Sequence, residues 1–152
     1  MRPRTVFENL TCVLHGTGVF GFAADQKAKA MLTLLGLENY AGRFTSDLSR
    51  SQEQKLLIAR ALIVQPAIVL ADQPLAFLEN EDVGKIQLLF TDILKQGTII
   101  VWASQSAESF PNVPVITLEL KEGNLSQKEA IIPVNPPTIE PVSTEDKQTN
   151  AT

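Results

Sequence analysis

An α/β fold with a parallel sheet is the architecture this sequence predicts, and three observations predict it. Residues 67–71 (AIVLA) and 98–103 (TIIVWA) are short apolar runs of strand length, rich in Ile and Val. Between them, residues 81–96 place Val83, Ile86, Leu89, Phe90, Ile93 and Leu94 on one helical stripe. Gly97 closes that stripe just before the second run. A strand, a helix and a strand at this spacing make a crossover, and a crossover joins parallel neighbours.

The other elements follow in order. Residues 5–22 are mixed in character and dotted with glycine. Residues 23–35 (AADQKAKAMLTLL) bring Ala28, Met31, Leu32 and Leu35 to one face, and Gly36 is a helix stop. Residues 37–51 read as loop with a short helix. Residues 52–64 (QEQKLLIARALIV) form a second, strongly apolar helix, ended by Gln65 and Pro66. The strands at 67–71 and 98–103 are expected to be buried, as short continuous apolar runs suit a parallel sheet. Residues 115–120 (VITLEL), the turn KEGN and the return LSQ predict a hairpin. Residues 133–152 hold four prolines and no aromatic residue, so a disordered tail is expected.

Composition bounds the function. A chain of 152 residues is long enough for one domain with a real core. No apolar stretch reaches the ~18 residues of a membrane span, so direct membrane insertion is not expected. The opening MRPRTVFE lacks the apolar core of a signal peptide, and a cytoplasmic location is the expectation. Thirteen basic and seventeen acidic residues give a net charge of −4, which argues against nucleic acid as a partner. Cys12 and His15 each stand alone, leaving little material for a disulfide or a histidine metal site.

Two stretches carry candidate chemistry. GTGVFG, with Gly16, Gly18 and Gly21, matches the dinucleotide pattern G-x-G-x-x-G. In that pattern the glycines permit a tight turn and let backbone approach a pyrophosphate. It needs a preceding strand, and only the short TCVL is available; a glycine-rich loop before a surface helix is the competing reading. The second stretch is VLADQP, where an acid, Asp72, ends an apolar run. Asp72 in such a place holds a magnesium ion beside a nucleotide, or simply starts a turn, with Gln73 an ordinary loop amide.

The order of RTVFENL, LLGLENYAGRFTSDLS, DLSRSQEQKLLIARAL, PAIVLADQP and VWASQSAES resembles the nucleotide-binding domain of ABC transporters over residues 5–126. The wording is closest to the group that contains FtsE, LolD and MacB. The resemblance implies a partial RecA-like, P-loop NTPase parallel sheet with a helical subdomain. Residues 5–47 would be that subdomain and residues 48–127 the partial core of a truncated domain spanning 1–132.

Carried over position by position, the resemblance is uneven. The family signature L-S-G-G-Q falls on Leu48, Ser49, Arg50, Ser51 and Gln52, so both glycines are replaced. Glycine there lets backbone N–H groups reach phosphate. Asp72 matches the metal-side acid. The glutamate that polarises water falls on Gln73, an amide that cannot act as a base. Glu79 stands for an aspartate at the dimer interface, and Ser104 for the histidine that contacts the γ-phosphate. The phosphate loop G-x-x-x-x-G-K-[ST] belongs well upstream of the signature; 47 residues precede Leu48 and none forms it. The strand leading to that loop is expected to be missing from the sheet, leaving an unpaired edge and uncovered apolar side chains.

The resemblance therefore implies a catalytically inactive ABC-ATPase-like subunit that acts through protein contacts in a transporter or cell-division complex. It would be peripheral at the inner face of a membrane and need no cofactor. Its partner would be a second copy, an intact ABC ATPase or a membrane subunit. One alternative is an ATPase subunit whose phosphate loop comes from another chain, with ATP and magnesium bound. The other is the dinucleotide module at Gly16, Gly18 and Gly21.

Overall fold

The computed structural model describes residues 3–105, 113 and 115–128. It divides after Val113 into two compact units.

The first unit begins with α1, Val6–Gly16, started by a reciprocal cap. The Glu8 backbone N–H donates to Thr5 Oγ1 (3.2 Å), and the Thr5 N–H donates to Glu8 Oε2 (2.8 Å). Val6, Leu10 and Leu14 recur every four residues and are buried. Helix α2, Gly21–Leu34, answers with Ala24, Ala28 and Leu32 at the same spacing. Its end explains Gly36, which sits at φ +65°. There the Leu37 N–H donates to Leu32 O (2.8 Å) and the Gly36 N–H to Thr33 O (3.2 Å). These are the two bonds of a Schellman cap, and they fold the buried Leu37 back onto the core. Two single 3₁₀ turns, Glu38–Tyr40 and Thr45–Asp47, lead to α3, Arg50–Leu62. Leu56, Ile58, Ala59 and Leu62 of α3 enter the same core.

The predicted crossover is present. Strand β1, Ile68–Asp72, runs parallel to β2, Ile99–Ala103, in the register Ile68↔Ile99 to Asp72↔Ala103. Helix α4, Asn80–Lys95, joins them and ends in a second Schellman cap at Gly97, φ +94°. Here Thr98 N–H donates to Ile93 O and Gly97 N–H to Leu94 O. Ile86 and Phe90 are the buried residues of the predicted stripe, while Val83, Leu89, Ile93 and Leu94 are half-buried. Phe90 meets Trp102 edge-on, ring centroids 4.9 Å apart, and shares the core with Val69.

The runs read as buried strands are buried on one face only, and the other face carries the uncovered apolar side chains expected of a sheet that lacks a neighbour. Val69 is 6% exposed, whereas its neighbours Ile68 and Leu70 are 58% and 78% exposed. Ile99 and Val101, opposite them, are likewise open. Helices cover a parallel sheet, and among the described residues they lie against a single face. The sheet also has just two strands among those residues, so each has an unpaired edge.

The second unit holds a hairpin, β3 Leu118–Lys121 and β4 Asn124–Gln127. Glu122 and Gly123 turn it at φ +49° and +80°, both in the left-handed region that a two-residue type I′ turn demands. The strand begins at Leu118, three residues later than expected. The tail at 133–152 lies outside the described residues. Among them, no helix is long and apolar enough to cross a membrane.

Phe90→Ala is expected to cost about 3–5 kcal/mol of stability in urea denaturation. Leu88→Ala, on the exposed side of α4, should stay within about 0.5 kcal/mol of the parent chain.

Candidate functional site

The site residues gather where β1 and β2 end and where α3 begins. Ser49 is the N-cap of α3. Its Oγ accepts from the Gln52 N–H (3.3 Å), and its own N–H donates to Gln52 Oε1 (3.0 Å). Ser49 and Gln52 thus have a local task, closing the first turn of the helix, whatever else they do. Ser51 is turned inward and 9% exposed. The Arg50 guanidinium lies 5.3 Å from the centroid of the Phe77 ring, a cation–π contact.

Asp72 is the last residue of β1 and is exposed. Gln73 prolongs the ladder, its N–H donating to Ala103 O (2.8 Å), and then the chain turns sharply. Gln73 and Phe77 both take left-handed backbone, φ +45° and +64°, which costs a side-chain-bearing residue about 1 kcal/mol or more. Between them Pro74 is buried, and its carbonyl accepts from Gln54 Nε2 (3.0 Å). Glu79 is the N-cap of α4 and makes no side-chain capping bond. Three residues later Asp82 pairs with Lys55 of α3 through a 2.8 Å, largely buried contact. Arg50 and Gln54 therefore clamp the loop between β1 and α4, and Lys55 ties the same helix to the first turn of α4. Sequence reasoning passed over Gln54, Lys55, Phe77 and Asp82. The i, i+4 spacing of Arg50 and Gln54 was the available signal.

Beyond the ends of the two strands lies an open cleft of about 220 Å³. It is lined by Gln73, Pro74, Leu75 and Ala76 from the β1 side and by Trp102, Ser104 and Gln105 from the β2 side. The carboxyl end of a parallel sheet is where such folds bind ligands. Gln73 and Ser104 thus share one cleft, and Arg50 reaches the same loop through Phe77. Ser49, Ser51 and Gln52 stay at the start of α3, and Glu79 at the start of α4. Among the described residues, no three His, Cys, Asp or Glu side chains group closely enough to hold a metal.

The dinucleotide reading is corrected. Residues TCVL lie inside α1, not in a strand, because the Thr5 cap and the Val6, Leu10, Leu14 period commit this stretch to helix. Gly18 and Gly21, at φ +85° and +59°, turn the chain between two helices, and His15 stacks on Phe20 there. A pyrophosphate cradle needs a strand leading into the glycines.

Comparison with known proteins places this arrangement in a family. Residues 1–76 match the family model described as ABC transporter. The chain belongs to that family, as part of an ABC ATPase nucleotide-binding domain. The lipoprotein-releasing system ATP-binding protein LolD of Bacteroides fragilis is 30% identical over 122 residues, 80% of this chain and 56% of LolD. The cell division ATP-binding protein FtsE of Mycobacterium tuberculosis is 28% identical over 129 residues, 85% of this chain and 56% of FtsE. A metal-chelate-type ABC transporter in an inward-facing conformation superposes with a TM-score of 0.64 at 25% identity, over 84% of this chain and 53% of its own. The chain spans about half the length of these relatives.

Ser49→Ala should destabilise the chain by about 1 kcal/mol in urea titration, through loss of the cap. Ser49→Asp, which keeps an acceptor, should cost a few tenths at most.

Proposed function

We propose that this chain is a non-catalytic ABC-ATPase-like subunit, of the FtsE and LolD kind, that works through protein contacts. It would serve in a transporter or cell-division complex at the cytoplasmic face of a membrane, its partner being a second copy, an intact ABC ATPase or a membrane subunit. One observation carries the reading: the residue that follows Asp72 at the end of β1 is Gln73, held in the cleft by a backbone bond to Ala103. An amide can orient a water molecule and cannot take its proton or carry negative charge. Ser104 shares that cleft in place of an imidazole, which removes a second phosphate contact. At the start of α3, Arg50 and Ser51 add side chains where the signature has glycine, and the Arg50 charge is directed at Phe77.

A second reading is an ATPase whose phosphate loop comes from another polypeptide. Asp72 at the strand end favours it. ATP and magnesium are ligands under this reading alone.

By isothermal calorimetry the 152-residue chain is expected to bind Mg-ATP with a dissociation constant of about 1 mM or weaker. Gln73→Glu should restore a base and still give no turnover in a phosphate-release assay, because nothing in these residues cradles the β- and γ-phosphates. Micromolar affinity, or turnover by the Gln73→Glu chain alone, contradicts the non-catalytic reading.

A further inference from the structure

The cleft where β1 and β2 end is lined without a single charged side chain. Its polar groups are the amides of Gln73 and Gln105 and the hydroxyl of Ser104, all on exposed residues. Leu75, Ala76 and the Trp102 ring supply an apolar wall. A phosphate held there would meet no cation in the lining, whereas a side-chain amide offers both a donor and an acceptor to another amide. At about 220 Å³ the cleft is open, and smaller than the roughly 300–1,000 Å³ of pockets that enclose small ligands. That space suits one residue of a chain that continues outside it.

The rim points the same way. Phe77, next to Ala76, is 62% exposed, and the Arg50 guanidinium lies over its ring at 5.3 Å. Aromatic and arginine side chains are the usual anchors of protein interfaces. Left-handed backbone at Gln73 and Phe77 brackets the turn that carries both cleft and rim, a strain that clusters at functional sites.

We propose that the cleft takes an asparagine or glutamine side chain from an extended segment of a partner polypeptide, with a neighbouring apolar residue of that segment resting on Phe77. The incoming amide exchanges hydrogen bonds with Gln73 and Gln105, while Leu75 and Trp102 cover its methylene stem. The uncharged lining favours this occupant over an acidic, basic or phosphorylated segment, each of which would bring an unpaired charge into the cleft. The inference rests on the protein-contact part of the proposed function and gives that partner a chemistry.

Trp102 is the one tryptophan of the chain, so its emission reports on the cleft. The full 152-residue chain is screened by this signal against end-blocked, tryptophan-free octapeptides of random sequence, phosphoserine included. Peptides that shift the emission are expected to share Asn or Gln at one position, beside an apolar residue. Changing that amide to Glu should weaken binding about tenfold or more. Gln105→Ala and Phe77→Ala, both at exposed positions, should each weaken it about tenfold with an unchanged far-ultraviolet circular dichroism spectrum. Leu88→Ala, on the exposed side of α4, should leave it unchanged. Selected peptides that share an acidic residue or phosphoserine, or equal weakening by Leu88→Ala, overturn the inference. Titration with Mg-ATP separates the two questions. Micromolar Mg-ATP binding with the amide preference intact overturns the non-catalytic reading alone, and no response to either ligand overturns the inference alone.

Discussion

The packing of α4 across one face of β1 and β2 is the constraint on which the rest of the first unit depends. A crossover helix can cover only the face it returns over. Phe90 and Ile86 do so here, against Val69 and Trp102, and their stripe is continuous with the core formed by α1, α2 and α3. The opposite face gains nothing from this arrangement. Its residues are as apolar as those of a covered sheet, and they stand in solvent.

The same packing builds the candidate site. With α4 held over the strands and α3 alongside, the short loop between β1 and α4 must turn sharply, and it does so through two left-handed residues that are not glycine. Strain of this kind persists where surrounding contacts over-determine it. Gln54 and Arg50 supply those contacts from α3, and Lys55 ties the same helix to the first turn of α4 through Asp82. The polar groups of the candidate site are partly engaged in this scaffold. Ser49 and Gln52 cap each other, and the Arg50 charge rests over an aromatic ring.

Much of the fold was legible in the sequence because its signals are local. Gly36 and Gly97 announced caps that the backbone bonds bear out, and the stripe from Ile86 to Phe90 announced the crossover. The helix α1 was not legible, because glycines at 16, 18 and 21 drew attention to a loop and hid the Thr5–Glu8 cap before it. The exposure of the strands was legible only through the neighbour strand expected to be missing. A run such as IVLA reads simply as buried, and nothing local tells which face stays open. At the site, residue identities at Asp72, Gln73 and Ser104 could be read directly. Their supports, Gln54 to Pro74 and Lys55 to Asp82, join positions 20 and 27 residues apart, which no periodicity reveals.

One-sided coverage of the parallel pair can be measured by thiol labelling in a Cys12→Ala background. Leu70→Cys and Val69→Cys place probes on adjacent residues that point to opposite faces. If helices cover one face only, a maleimide should label Leu70→Cys at least about tenfold faster than Val69→Cys in the isolated chain. Equal, slow labelling at both positions would contradict the account, since it would mean that the face bearing Leu70 is already covered.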